Sequence, residues 1–410
     1  ESLAAEAFGA ANAFFIVNGT TAAVQAMILA ACKKGDKIIM PRNVHTSAIN
    51  ALILSGASPV YVNPGVDKRL GIPLGMAFDD VKAAVEQNPG AKAIFVNNPT
   101  YYGVCSDLER ITALARRHNM LVLADEAHGT HFYFGDGLPR AAMSCGADMA
   151  AVSMHKTGGS LTQSSILLTG ERVRPGYIRQ ILNLTRTTSG SYLLLSSLDI
   201  SRRNLALEGK KIFEKVVSIA KYAREEINAI GSYYAYGAEL TDDRAVYDFD
   251  TTKLSVYTRD IGLAGIEVYD ILRDEYDIQI EFGDIGNILA IISVGDTTLG
   301  IERLLSALHE IKRLYSRDKT GMFDHEYISP TVALTPQAAF YAEKKSIEIE
   351  RSDGYVCGEF VMCYPPGIPI LSPGERITPE IIAYIRYAKE KGCFMTGTED
   401  ITMRFIKVLI

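Results

Sequence analysis

The feature that most constrains this chain is an alternation of short β-rich runs with helical patterns over its first 170 residues. Between the β-rich runs, apolar side chains recur at three- and four-residue spacing, which is typical of helices. Such alternation predicts an α/β fold with a mostly parallel sheet covered by helices on both faces. Ligands of these sheets bind at the carboxyl ends of the strands, so functional residues are expected just after each strand. The predicted strands are 13–17, 37–40, 59–62, 93–97, 120–124, 149–152 and 166–169, and the predicted helices are 21–32, 45–54, 79–87 and 108–118.

The pattern changes after residue 189, and the remaining sequence predicts two further regions. A polar segment at residues 316–324 separates these two regions. We therefore predict a large domain at residues 1–195, a small α+β domain at 196–320 and a C-terminal domain at 321–410. The elements predicted for the middle region are helices at 192–204, 207–230, 266–275 and 298–315 and strands at 253–257, 278–281 and 288–293.

Charge and cysteine usage argue against several functional classes. The chain has 42 Lys and Arg against 48 Asp and Glu, and its net charge of −6 favours neither nucleic acid nor an anionic membrane surface. No apolar stretch approaches the ~20 residues of a membrane span. The six cysteines lie far apart without a Cys-x-x-Cys pair, so neither a zinc site nor a disulfide framework is indicated. We expect reduced thiols and a cytoplasmic location.

A lysine in an unusual setting follows the strand pattern at 149–152. Residues 153–165 read Ser-Met-His-Lys-Thr-Gly-Gly-Ser-Leu-Thr-Gln-Ser-Ser, so that Lys156 follows His155 and precedes a pair of glycines. A lysine amine becomes nucleophilic, and forms Schiff bases, when it is partly desolvated or lies beside another cationic group. The alternative is an ordinary lysine at a strand end, because charged residues are mostly exposed.

Three other strand ends carry side chains suited to binding or catalysis. Asn18-Gly19-Thr20-Thr21 leads into a helix, where amides and hydroxyls suit a phosphate, although Gly-Thr is also common N-cap chemistry. His45 stands at or near a helix start, with a capping or core role as the alternative. Asp125-Glu126-Ala127-His128 ends another strand and could be a metal site, but no other His or Asp cluster completes a ligand shell.

The segment from Ser153 to Ser165 resembles the pyridoxal-phosphate attachment site of the Orn/Lys/Arg decarboxylases, and the resemblance covers most of the chain. It implies a fold-type-I large domain, a small α+β domain and a C-terminal domain. It also implies that Lys156 binds pyridoxal 5'-phosphate covalently. Asp125 would keep the ring nitrogen protonated, so that the ring accepts electrons from the substrate. His45 would stack on the ring.

The resemblance assigns further contacts with the cofactor. Ser153 and His155 would contact its phosphate, together with Thr20 and Thr21 at the helix start. Ala127 would pack under the ring. His128 would lie near the entrance of the active site.

The resemblance also implies a second subunit. Thr187 and Thr188 resemble a segment that reaches the cofactor phosphate of the neighbouring chain, so we expect at least a homodimer. Family members usually carry Ser-Pro in this segment, whereas Ser189-Gly190 stands here, and glycine leaves the turn looser. The alternative is that the threonines cap the following helix.

Two proline-rich turns near the end are also similar to the family. They are Tyr364-Pro365-Pro366-Gly367-Ile368-Pro369 and Ser372-Pro373-Gly374-Glu375. Glu375 could face the distal cation of a basic substrate, because a buried cation requires a counter-charge. The alternative is that these prolines only fix loop geometry.

Together these features predict pyridoxal-phosphate-dependent decarboxylation of a basic L-amino acid in polyamine biosynthesis. Arginine, giving agmatine and carbon dioxide, is preferred to lysine or ornithine because the chain resembles the shorter biosynthetic branch of the family. An alanine-rich helical stretch opens the chain without a methionine, so we also expect an upstream segment. The alternatives are an aminotransferase or lyase on the same fold, with Arg376 or Arg404 holding the substrate carboxylate, and a non-catalytic cofactor-binding regulator.

Overall fold

A central sheet organises the first part of the chain. The computed structural model describes residues 1–318, 331–363, 368–390 and 392–410, and each strand predicted before residue 170 is present in it. The strands of this part are β1 (Asn12–Ile16), β2 (Lys37–Pro41), β3 (Ser58–Val62), β4 (Ala93–Asn97), β5 (Val104–Cys105), β6 (Leu121–Glu126), β7 (Met149–Val152) and β8 (Ser165–Thr169).

The sheet is mixed but mostly parallel. Its order is β1-β8-β7-β6-β4-β2-β3, with parallel pairing from β3 through β7. Strand β8 runs antiparallel to both β7 and β1. Residues 153–164 contain one helical turn instead of a crossover helix, so the chain returns in the opposite direction. The ends of β4, β6 and β7 therefore meet at one edge, where Asp125 lies level with Asn97 and Ala151.

Helices cover both faces of this sheet, as predicted. Alternate side chains of a strand point to opposite faces, and in β2 Ile38 and Met40 pack in one hydrophobic cluster while Ile39 packs in another. Burial on both faces explains the continuous apolar runs of these strands. The helices of this part are α1 (Ser2–Ala7), α2 (Gly19–Ala31), α3 (Thr46–Ser55), α4 (Phe78–Gln87), α5 (Leu108–Arg117), α6 (Met154–Thr157), α7 (Pro175–Thr185) and α8 (Tyr192–Ile230).

Helix α8 is one continuous helix of 39 residues, whereas the sequence predicted two. No proline interrupts the helix between the two predicted segments, so its hydrogen bonds continue unbroken. Gly209 allows a close approach, because a Cβ there would lie 2.7 Å from Cβ of Phe134. The domain boundary predicted after residue 195 falls in the first turn of α8, and it stays a prediction.

The middle region is an antiparallel sheet packed on helices. Its sheet has the order β12-β13-β11-β9, and β10 pairs with β5 of the first region. The strand predicted at residues 278–281 is wrong, since the strand of this segment begins at Phe282. The elements are β9 (Tyr234–Tyr236), β10 (Asp248–Phe249), β11 (Lys253–Tyr257), β12 (Phe282–Gly283), β13 (Asn287–Ile291), α9 (Gly265–Tyr276) and α10 (Thr298–Tyr315).

The last region has its own small hydrophobic cluster, built around Ile381, Ile385 and Val408. The predicted boundary after residue 320 and residues 364–367 of the first proline-rich turn lie outside the described residues. Over the described ranges, no helix is both long and apolar enough to cross a membrane. The elements are β14 (Thr331–Val332), β15 (Lys344–Glu348), β16 (Val361–Cys363), β17 (Pro369–Leu371), β18 (Glu375–Arg376), β19 (Met395–Thr396), β20 (Phe405–Leu409), α11 (Pro336–Tyr341) and α12 (Pro379–Glu390).

Candidate active site

A cavity of about 300 Å³ lies at the carboxyl ends of β4, β6 and β7. This volume is at the lower end of the roughly 300–1,000 Å³ typical of small-molecule sites. The structure brings together there most of the residues singled out in the sequence. Those that line the cavity are Thr20, Thr21, His45, Asp125, Ala127, His128, Ser153, His155 and Lys156.

Lys156 presents its amine to this cavity from the single turn of α6. Its Nζ lies 2.7 Å from Nε2 of His128 and 5.7 Å from the ring centroid of Tyr101. Burial lowers the pKa of Lys156, and the charges of Asp125 and Glu281 oppose that shift. The amine is therefore partly desolvated, which favours its nucleophilic neutral form, unlike an ordinary exposed lysine at a strand end.

Asp125 provides a buried carboxylate at the end of β6. Its Oδ1 accepts a hydrogen bond of 3.2 Å from the backbone N–H of Ala127, the only hydrogen bond to this carboxylate from the described part of the chain. Burial raises the pKa of Asp125, while that hydrogen bond and the charge of Lys156 lower it. The carboxylate thus keeps hydrogen-bonding capacity for a group in the cavity.

The adjacent Glu126 has a structural role. Its carboxyl accepts hydrogen bonds from Tyr133 Oη at 2.5 Å and from the backbone N–H of Ala142 at 2.7 Å. Burial raises the pKa of Glu126 to about 8. Within the ranges that the structure describes, no three His, Cys, Asp or Glu side chains are arranged to hold a metal ion.

A cluster of hydroxyl groups lies beside the start of α2. Oγ1 of Thr20 is hydrogen-bonded to the hydroxyls of Ser153 and Ser165, the latter at 2.8 Å. No side chain caps α2, and Gly19 adopts a φ of 73°, which favours glycine. Uncapped amides at a helix start, together with hydroxyls, form a site suited to an anion.

Two neutral histidines line the cavity as well. His45 is the N-cap of α3, since its Nδ1 accepts from the N–H of Ser47 at 3.2 Å, so the capping alternative is observed. Burial and the charge of Lys156 lower the pKa of His45 to about 4, so its ring is uncharged at neutral pH. His155 Nδ1 donates to the carbonyl of Ser164 at 3.0 Å, and burial lowers the pKa of His155 too.

His128 lies deeper than the sequence predicts. Its side chain is only 6% exposed, so the residue is buried instead of lying at the entrance. Besides contacting Lys156, it stacks at a tilt on Tyr101, with ring centroids 4.4 Å apart. Burial, with the positive charge of Lys156, lowers the pKa of His128 well below its usual value.

Thr187 and Thr188 do not line the cavity of their own chain. Both are exposed, and the N–H of Thr187 donates to Asn18 Oδ1 at 3.3 Å, next to the start of α2. The residue that caps α8 is Ser191, whose hydroxyl accepts from the N–H of Leu194. The capping alternative for the two threonines is therefore not observed.

Glu375 has a different partner from the one expected. Its two carboxylate oxygens accept from Nε and Nη2 of Arg42 at 2.6 and 2.7 Å, and one also accepts from the N–H of Ser372. Arg42 and Glu375 are both buried. Because an internal arginine already neutralises this carboxylate and Glu375 does not line the cavity, we do not assign it to the substrate.

Sequence reasoning missed three residues around the reactive amine. Tyr101 lines the cavity and donates its hydroxyl to Glu281, while Lys253 is fully buried behind His128. Tyr101 follows β4, so inspection of that strand end would have found it. No local signal marks Glu281 and Lys253, because they come from the middle region of the chain and reach the site only by long-range packing.

Comparison with known proteins gives consistent matches. The family model described as the Orn/Lys/Arg decarboxylase major domain matches residues 1–299, and that of its C-terminal domain matches residues 316–400. Arginine decarboxylases of Bacillus subtilis and Bacillus anthracis are 44% and 43% identical to this chain, covering all of it and 84% of each relative. The crystal structure of the Francisella novicida lysine decarboxylase LdcF superposes with a TM-score of 0.85 at 19% identity, covering all of this chain and 71% of that one.

Proposed function

The chain belongs to the Orn/Lys/Arg decarboxylase family, and on this premise we propose that it decarboxylates arginine with pyridoxal 5'-phosphate held around Lys156. Family membership makes it a decarboxylase with the fold-type-I architecture, as predicted. The choice of arginine is supported by relatives that are 43 to 44% identical over the full chain. The single observation that carries the proposal is that the amine of Lys156 and the carboxylate of Asp125 line one cavity.

The residues of the cavity fit this cofactor. Pyridoxal phosphate has an aldehyde, a phosphate and a ring nitrogen, and each needs a different partner. Lys156 offers a desolvated amine, and the uncapped start of α2 with Thr20 and Ser153 offers donors for a phosphate. Asp125 offers a buried carboxylate with unused hydrogen-bonding capacity. In addition, Oδ1 of Asn97 is buried at the same edge without a hydrogen-bond partner among the described residues.

When bound, pyridoxal phosphate supplies an aldehyde that condenses with amines and a ring that accepts the electron pair released from the substrate. Lys156 would hold the aldehyde, and its amine would serve as an acid or base beside the reacting carbon. Asp125 would hold a proton at the ring nitrogen, and Ala127 fixes Asp125 through its N–H. The neutral ring of His45 would pack against the cofactor and exclude water.

The phosphate would be bound at the start of α2. Thr20, Thr21 and Ser153 provide hydroxyl donors there, and the N-terminal amides of α2 add the favourable end of the helix dipole. His155 lines the same cavity, but its Nδ1–H already donates to the carbonyl of Ser164, so it would donate to the phosphate only through a protonated Nε2. Thr187 and Thr188 are exposed and available to a second copy of the chain, which supports a homodimer as the working unit. Polyamine biosynthesis and a cytoplasmic location stay predictions.

Glu281 is the carboxylate that we assign to the distal cation of arginine. It lies at the edge of the site, where the hydroxyl of Tyr101 holds it, and its charge acts on both Lys156 and Lys253. Unlike Glu375, it has no buried arginine as a partner within the described residues. A guanidinium placed over Tyr101 would also gain a cation–π contact.

The alternatives on the same fold receive less support. Arg376 donates to the carbonyl of Gly354, and neither Arg376 nor Arg404 lines the cavity, so neither is placed to hold a substrate carboxylate as in an aminotransferase. A non-catalytic regulator would not require Lys156 and Asp125 to meet in one cavity. Arginine decarboxylation is therefore the function that the site supports best.

Product analysis tests this proposal. The purified chain with pyridoxal phosphate is incubated separately with arginine, lysine and ornithine, and released carbon dioxide and the amine product are measured. We expect agmatine and carbon dioxide from arginine at the highest kcat/KM. Release from lysine or ornithine alone would contradict the choice of substrate, and release from none of the three would contradict the proposal.

A further inference from the structure

His45 and Ser47 contact each other at the start of α3. Nδ1 of His45 lies 3.2 Å from the backbone nitrogen of Ser47 and 2.8 Å from its hydroxyl oxygen. Both residues line the cavity, and Ser47 is only 2% exposed. The contacts with Ser47 therefore decide which part of the imidazole ring of His45 is left for a group in the cavity.

These contacts fix the position of the ring proton. A backbone N–H can only donate, so Nδ1 of His45 accepts from Ser47 and carries no proton. The hydroxyl of Ser47 can donate or accept, and it must then donate to the same nitrogen. In a neutral imidazole the one proton is consequently on Nε2. This N–H has no hydrogen-bond partner among the described residues, so it is available to a group in the cavity.

The same contacts oppose a positive charge on His45. Protonation would place a hydrogen on Nδ1, facing the N–H of Ser47, and the hydrogen bond that caps α3 would be lost. Burial and the charge of Lys156 act in the same direction and lower the pKa of His45 to about 4. The ring is thus uncharged at neutral pH for a geometric reason as well as an electrostatic one.

The charged groups around His45 come from other elements than its own helix. Helices α2 and α3 carry no charged side chain, and α11, which packs on α3, carries only the exposed Tyr341 as a titratable group. Arg42, which precedes α3, is held by Glu375. Asp125 is the only carboxylate among the described residues that line the cavity, and the proposed function commits it to the cofactor. The titratable residues that line the cavity with His45 are Tyr101, Asp125, His128, His155 and Lys156.

We propose that Ser47 is a positioning residue that keeps the proton of His45 on Nε2, so that His45 presents an uncharged ring with one N–H donor to the cofactor. The inference rests on the proposed function, in which Asp125 would hold a proton at the ring nitrogen of pyridoxal phosphate. A charged imidazole against that positive ring would weaken cofactor binding, because like charges repel strongly where water is excluded. An uncharged imidazole avoids this repulsion.

The first test reads the ring of His45 in the cofactor-free protein. The chain is labelled with 15N-histidine and followed by NMR from pH 4 to pH 8, and His45→Gln identifies the signal. We expect the Nε2–H tautomer at neutral pH. In Ser47→Ala the pKa of His45 should rise by about one unit, the shift expected when one hydrogen bond to the neutral ring is lost. Ser47→Thr keeps the hydroxyl and should restore the titration. Ser55→Ala is the matched control, because it removes a hydroxyl that accepts from the N–H of Ala57 at the other end of the same helix.

An Nδ1–H tautomer or a charged ring at neutral pH in the unmodified chain would overturn the inference. An unchanged titration of His45 in a folded Ser47→Ala variant would overturn it as well. If Ser47→Ala does not fold, Ser47→Cys carries the same test, because a thiol is a weaker donor than a hydroxyl and should give a smaller shift in the same direction.

The second test follows cofactor affinity instead of turnover. The Kd of pyridoxal phosphate for the cofactor-free protein is measured between pH 5 and pH 8 by visible absorbance. In Ser47→Ala we expect a roughly twofold higher Kd at pH 5, where about half of the His45 rings would be charged, and no change at pH 8. An equal loss of affinity at every pH would indicate a purely structural role and contradict the inference. Neither test uses decarboxylation, and the first needs no cofactor, so failure of the proposed function would be seen separately.

Discussion

The groups around the cavity have two different origins. The large-domain wall consists of Thr20, His45, Asp125, Ser153 and Lys156, which follow or end strands of the central sheet. The middle-region group consists of Lys253 and Glu281, which lie beside the cavity and reach it through His128 and Tyr101. The large-domain wall carries the groups that we propose to hold and activate a cofactor. The middle-region group carries charges beside them.

The two groups are positioned by different parts of the fold. Residues on the large-domain wall are placed by the strand ends of the central sheet. Residues of the middle-region group are placed by the packing of the middle region against that sheet. Variants in the two groups should therefore fail in different ways, and four predictions test that division.

The largest effect is expected for Lys156→Ala. Without the amine, the cofactor has no covalent partner and the reacting carbon loses its acid or base, so kcat/KM should fall by ~10³-fold or more. Steady-state kinetics with arginine measure the loss. Lys215→Ala on α8 is the control, since that side chain is exposed and remote from the cavity. If Lys156→Ala kept more than about a tenth of the activity, Lys156 would not be the reactive amine.

Asp125→Asn should cost ~10² to 10³-fold in kcat, the usual loss when one preorganised electrostatic partner is removed. An amide cannot balance a positive charge at the ring nitrogen, although it preserves the shape of the side chain and the space around Ala127. The cofactor should still bind covalently, and its absorbance would report that. A normal kcat in this variant would show that Asp125 does not act on the cofactor.

Arg42→Met should change stability instead of chemistry. It leaves the buried carboxylate of Glu375 without its charged partner, which typically costs about 3 to 5 kcal/mol of unfolding free energy. Denaturant unfolding measures the change. The double variant Arg42→Met with Glu375→Met should recover much of the stability, because both charges are then absent. Equal instability of the single and double variants would show that the ion pair is not the cause.

Glu281→Gln should give the smallest effect. Because this carboxylate is exposed, an ion pair with the substrate guanidinium is worth about 1 kcal/mol, so KM for arginine should rise roughly fivefold with little change in kcat. Glu375→Gln is the matched control, and its KM should stay constant while its stability falls. The opposite pattern would assign the substrate cation to Glu375.

The sequence allowed most of the large-domain wall to be predicted. Strand ends in a parallel sheet are visible as local patterns, and the resemblance to the family then singled out Lys156, Asp125 and His45 among the residues that follow them. The sequence did not reveal the burial of His128 or the true partner of Glu375. The burial of His128 involves Lys253, which lies 125 positions further along the chain. Glu375 lies 333 positions from its partner Arg42. No local pattern encodes contacts over such distances. For the same reason, local patterns did not reveal the position of Lys253 beside the site. They also placed a strand at residues 278–281, whereas the strand of this segment begins at Phe282.

Covalent labelling tests the central claim, that Lys156 is the amine which holds the cofactor, most directly. The chain is loaded with pyridoxal phosphate, reduced with borohydride, digested and analysed by mass spectrometry. The account predicts that the added mass lies on the peptide containing Lys156 and on no other lysine. A label on Lys253, or one spread over several lysines, would contradict it.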